Sequence, residues 1–140
     1  MRNQRVVIAV LCAAGAALTA CDSESATAES PQAAVVEEVA GSEQPTITLT
    51  EQAADRTGLE TAEVSSQSKL TVPYSALLYD PSGDTWVYVS TEPLTYTRYP
   101  VTVDDIDGGV VTLTDGPRPG TEVVTVGVAE LWGAENGIGQ

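Results

Sequence analysis

The sequence predicts a mainly β protein: a small antiparallel sheet or β-roll of about six to eight strands with one short helix, preceded by a disordered tether. Three observations carry this. Short segments rich in Val, Thr, Ile and Tyr recur from Thr46 onward with period-two alternation. Clusters of Asp, Pro, Ser and Gly punctuate them at close spacing. Upstream of Thr46 the composition is different, with Ser, Ala, Glu, Thr, Gln and Pro and no aromatic residue between 22 and 45.

Residues 22–45 cannot bury enough apolar surface to offset the entropy of ordering, so they read as the tether. Ala33-Ala34-Val35-Val36-Glu37-Glu38-Val39 suits a transient helix, too short to be stable alone. Thr46 to Thr50 alternates as a strand. Thr50 then suits the N-cap of a helix over Glu51 to Thr57, with Gly58 as its left-handed stop. Leu59 to Val64 is extended, and Ser65 to Ser68 is a loop. Leu70 to Val72 leads into Pro73, followed by Ser75 to Tyr79. Asp80-Pro81-Ser82-Gly83-Asp84 is a turn. Thr85 to Val89 is a strong strand that sets Trp86 and Tyr88 on one face and Val87 and Val89 on the other. Thr95 to Val103 is a long strand, interrupted by Pro100 in the manner of an edge or a bulge. Asp104 to Gly109 is a turn. Val110 to Thr114 and Glu122 to Gly127 are two more strands, and Leu131 to Gln140 is a glycine-rich tail.

The first 21 residues have a different grammar. Arg2 and Arg5 precede an apolar run from Val6 to Ala17, which ends in Leu18-Thr19-Ala20-Cys21. This resembles a bacterial lipoprotein signal peptide of the lipobox type. The resemblance implies export, cleavage before Cys21 and acylation of that cysteine. The apolar run is too short to span a bilayer comfortably. The alternative is a retained N-terminal anchor helix, which also places the domain outside the cytoplasm. Two or three acyl chains, at about 0.8 kcal/mol per buried methylene, anchor stably. Asp22 resembles an inner-membrane retention signal in a two-membrane bacterium.

Cleavage removes Arg2 and Arg5, taking the formal charge from −14 to −16 with all 20 acids retained. Such a chain does not bind nucleic acid through its phosphates and is repelled by anionic headgroups. Cys12 leaves with the signal and Cys21 carries lipid, so no disulfide or zinc thiolate is expected. The absence of histidine removes the commonest general base and metal ligand. No cofactor is expected.

A family resemblance rests on the β segments. Val72-Pro73-Tyr74-Ser75-Ala76-Leu77-Leu78, then Gly83-Asp84-Thr85-Trp86-Val87-Tyr88-Val89, then Arg98 to Val103, then Gly116 to Gly127 occur in that order. Together they resemble the C-terminal, membrane-proximal part of the periplasmic adaptor subunits of efflux pumps, the HlyD-like and RND-associated membrane fusion proteins. Val128 to Glu135 is similar to the ending of that group. Ile47 to Gln52 and Thr57 to Ala62 are similar to the segment opening the folded part of many adaptors. The likeness covers about residues 46–135. It departs where Val64 is joined to Leu70 by a few polar residues, since a full adaptor carries lipoyl, helical-hairpin and barrel parts there. The expected organisation is therefore a signal peptide over 1–20, a lipidated tether over 21–45 and a membrane-proximal-like β domain over 46–140.

What the resemblance implies is a non-enzymatic, lipid-anchored accessory subunit. It is expected on the outward face of the cytoplasmic membrane, docked on a polytopic RND or ABC transporter. The alternative is a free-standing surface lipoprotein that binds a ligand or envelope component, and an adaptor gene shortened by internal deletion is a third reading. The oligomeric state stays open.

Candidate chemistry is sparse. Asp104-Asp105-Ile106-Asp107-Gly108-Gly109 has oxygen ligands for calcium, yet its spacing is not an EF-hand, and a solvated Asp-Gly hairpin is the simpler reading. Ser75 and Tyr74 lack a histidine or a well-placed lysine, Lys69 being the only lysine. Of the aromatic residues Trp86, Tyr88, Tyr96 and Tyr99, Trp86 is expected in the core. Tyr99 and Trp132 are the candidates for partner contact.

Overall fold

The computed structural model describes residues 32–138. Cys21, the signal peptide and residues 22–31 of the tether lie outside the described residues. The elements run β1 (Ala34–Glu37), β2 (Thr46–Leu49), α1 (Glu51–Thr57), β3 (Glu60–Glu63), β4 (Leu70–Pro73), a 3₁₀ turn (Tyr74–Ala76), β5 (Leu78–Tyr79), β6 (Thr85–Glu92), β7 (Thr95–Pro100), β8 (Thr102–Asp107), β9 (Val110–Asp115), β10 (Glu122–Val126) and α2 (Val128–Glu135).

Two open sheets form, not the single small sheet or roll expected from strand spacing, and two helices in place of one. The first sheet has the order β1-β2-β7-β6-β10-β3, with β5 paired to β6, and the second the order β4-β9-β8. Both pair their strands antiparallel. The sheets part at Pro100, which ends β7 without an amide hydrogen to donate, and Thr102 starts β8 in the second sheet. Between them, Val101 N–H donates to the Thr85 carbonyl at 3.0 Å, and its side chain enters the core between the sheets.

That core is aliphatic. Val87, Val89 and Val123 from the first sheet meet Val72, Val111 and Leu113 from the second, with Val64, Ala76 and Val101 completing it. The alternation expected for β6 holds: Val87 faces this core, while Tyr88, fully buried, faces the other side. The opposite face of the first sheet is covered by the two helices. There Ile47, Tyr88, Tyr96 and Val124 pack against Ala53 of α1 and Leu131 of α2.

The first helix follows its sequence signals. The Thr50 hydroxyl accepts from Ala53 N–H at 3.2 Å, and Gly58 at φ 61° closes the helix with its N–H on Ala54 and Asp55 carbonyls. The second helix contradicts the reading of a glycine-rich tail. Ala129, Glu130, Leu131, Ala134 and Glu135 favour helix despite Gly133, and Leu131 is buried beneath them. Gly127, at φ 97°, turns the chain from β10 into α2. A Cβ there would stand 3.0 Å from the Thr57 methyl and 3.3 Å from Leu59, so glycine lets the two helices approach.

The second half of the expected tether also differs. Ala34–Glu37 is an edge strand rather than a transient helix, because Ala34 and Val36 alternate and pair with Leu49 and Ile47 of β2. Asp104–Asp107, expected in a turn, belongs to β8. The turn itself is only Gly108-Gly109, both with positive φ, as a two-residue hairpin requires.

Candidate functional site

Residues of the first sheet sort by face through their pairing. Tyr99 lies opposite Val87, Thr97 opposite both Val89 and Thr46, and Thr95 opposite Thr48, so these side chains share the face that the second sheet covers over β6 and β10. No residue of β1, β2 or β7 joins the core between the sheets. The outer half of this face therefore stands free of the second sheet. It presents Val35, 47 % exposed, beside a threonine ladder in which Thr46 and Thr97 hydroxyls share a hydrogen bond of 3.2 Å and Thr48 and Thr95 one of 3.5 Å. Tyr99, 41 % exposed, ends the ladder. Along this strip Val35 and Tyr99 are exposed, and the four threonines between them are half-buried.

Trp132, the other candidate for contact, lies on the opposite face of the same sheet. It is partly buried against the helix-side core, and its ring stands 5.0 Å from the Arg98 guanidinium carbon. The ring of Trp86 flanks the same guanidinium at 4.6 Å. Arg98 Nε donates to Glu135 Oε1 at 2.8 Å, with side-chain exposures of 14 % and 7 %. Tyr88 donates its hydroxyl to Glu135 Oε2 at 2.6 Å. Both carboxylate oxygens of Glu135 are thus engaged, which ties the last turn of α2 to β6 and β7. The network extends outward: Trp86 Nε1–H donates to Asp80 Oδ2 at 3.1 Å, and Asp80 Oδ1 accepts from the Ser82 and Asp84 amides at 2.9 and 3.0 Å. Trp86 is therefore half-buried in this polar lock rather than in an apolar core.

The electrostatics follow the geometry. Burial, then the hydrogen bond to Glu135 and its charge, push the Tyr88 phenol far above its ordinary value, with Arg98 pulling the other way. Desolvation pulls the Asp80 carboxyl up, but the hydrogen bonds from Asp84, Trp86, Ser82 and Gly83 together bring it below the usual carboxylate range. The lock is a holding device. It presents no nucleophile beside a base, and the signal for it in the sequence was a lone Arg98 alternating onto the aromatic face with Tyr96. Its partner, one of 20 acids and 37 positions away, could not be singled out.

The other chemistry-bearing residues stay apart. Asp104 pairs with Lys69 at 2.8 Å on an exposed edge, and no group of three or more His, Cys, Asp or Glu suited to a metal occurs among the described residues. Ser75 is exposed in the 3₁₀ turn. A groove that the sequence did not reveal, of about 410 Å³, opens between α1, α2 and the start of β1. No described helix is long and apolar enough to cross a membrane. No family model matches the chain, and no curated protein aligns with it.

Proposed function

We propose that this protein is a non-enzymatic, extracytoplasmic docking module. In this reading it is anchored by acyl chains on Cys21 and acts as an adaptor-like accessory subunit on the outward face of a polytopic efflux transporter, of RND or ABC type, in the cytoplasmic membrane. The observation that carries the reading is the outer half-face of the first sheet, where exposed Val35 and Tyr99 flank a half-buried threonine ladder that takes no part in the core between the sheets.

The lipobox-like Leu18-Thr19-Ala20-Cys21 and the ordered resemblance to adaptor C-terminal parts support the rest of the proposal. A span of 22–33 reaches at most roughly 40 Å when fully extended, which keeps the β domain within contact range of a membrane protein's outer surface. The acidic surface disfavours lying on anionic headgroups, so the module is presented to a protein rather than to lipid. Tyr99 supplies the anchoring ring, and the surrounding hydroxyls supply hydrogen bonds at low desolvation cost.

The test is affinity purification of the lipidated protein from detergent-solubilised membranes, with Cys21→Ala and Tyr99→Glu alongside. The reading predicts a polytopic transporter with the wild type, and loss of it with Tyr99→Glu although that variant folds normally by circular dichroism. Recovery of no transporter from membranes that contain the folded lipoprotein contradicts it.

A further inference from the structure

We propose that the groove between α1 and α2 binds a single-chain amphiphile with an anionic headgroup, its alkyl chain lying in the groove and its headgroup meeting Arg56. The inference stands on the groove and is independent of the docking face on the other side of the sheet. The groove exists because the residues that face one another across it are small. Ala53 of α1, Ala134 of α2 and Ala34 of β1 line it, where larger side chains would close the gap. The groove is open to solvent on one side and mixed in lining, and its volume of about 410 Å³ falls in the size range of small-ligand sites.

The walls give the ligand its chemistry. Leu49 and Leu131, 9 % and 1 % exposed, close the floor of the groove, and the half-buried Leu59 and Ala134 offer the apolar contact. Ile138 also lines it with 68 % of its surface exposed, so an alkyl chain seated there would cover an apolar residue that is otherwise in water. Among the described residues that line it, charge occurs on Arg56 and Glu130 alone. Arg56 forms no ion pair with a described residue; the net charge of −14 opposes an anion at long range, so the attraction is local to this guanidinium. An anionic headgroup is the complement that Arg56 lacks, and Glu130 disfavours placing that headgroup on the α2 side.

Titration of the purified full-length chain with dodecanoate below its micelle concentration tests this, followed by the amide signals of Ala53 and Leu131 in NMR spectra. Saturable one-to-one binding is expected. Arg56→Gln should weaken it roughly two- to five-fold, the yield of an exposed ion pair. Ala53→Leu or Ala134→Leu should fill the groove and weaken it at least about ten-fold while the chain stays folded, since the added carbon is buried. Dodecyltrimethylammonium should bind more weakly than dodecanoate. Absence of saturation contradicts the proposal, as does equal affinity for the two head charges. Unchanged binding in both folded leucine variants also contradicts it.

Discussion

The two faces of the first sheet are built on different principles. Toward the second sheet the core is valine, alanine and leucine, packed without a polar side chain. Toward the helices the core is larger-grained, with Tyr88, Tyr96 and Ile47, and it is closed at one end by an ion pair flanked by two tryptophan rings. The difference teaches what each face must do. A sheet packed on a sheet is positioned by its continuous backbone crossing at Val101. A helix of eight residues with no side-chain N-cap needs another fixture, and Glu135 provides it by gripping Arg98 and Tyr88 together.

The comparison breaks most easily at Arg98. Arg98→Ala leaves Glu135 buried without its cation and should cost about 3–5 kcal/mol in denaturant unfolding. The triple variant Arg98→Met, Glu135→Leu and Tyr88→Phe should recover much of that, since it removes the charges and the buried hydroxyl together. A triple variant less stable than Arg98→Ala would mean that the lock contributes through something other than paired charge and its hydrogen bonds. Gly127→Ala should cost about 1–3 kcal/mol, from an unfavourable φ and from the crowding of Thr57 and Leu59. Its effect should fall on the helix side, with amide exchange quickened in α2 and unchanged in β9.

The pH dependence separates the faces again. The Tyr88 and Tyr96 phenols are raised above 10.0, so the folded state favours their protonated forms. Their contribution is complete below the ordinary phenol value and is lost as the pH climbs past about 10. Unfolding midpoints should therefore fall above that pH, and fall less steeply in Tyr88→Phe. A core with no titratable group contributes nothing to this slope. The smallest expected effect is Thr50→Ala, which removes the cap of α1 and should cost about 1 kcal/mol.

Much of this was legible in the chain because the signals were local. Thr50 and Gly58 delimit α1, Asp80 to Asp84 form their turn through the Asp80 side chain, and the alternation in β6 separates Val87 from Tyr88. The misses were non-local. Ala34–Glu37 is a strand only because β2 offers a partner, and α2 is a helix whose Gly133 argued against it while Leu131 and Glu135 found partners on distant strands. Strand spacing suggests a small sheet or a roll, but it carries no information on whether edges meet. Of the two aromatic residues expected to contact a partner, Tyr99 is exposed and Trp132 is engaged with Arg98; no local pattern distinguishes them.

The central claim, docking through the free half-face of the first sheet, is tested most directly by site-specific photocrosslinking in intact cells. A photoreactive phenylalanine analogue is placed at Tyr99 on that face and, separately, at Ile138 on the helix side. The account predicts a crosslink to a polytopic membrane transporter from position 99 and none from position 138. A transporter crosslink from position 138 alone, or none from either site in a folded, membrane-localised protein, would contradict it.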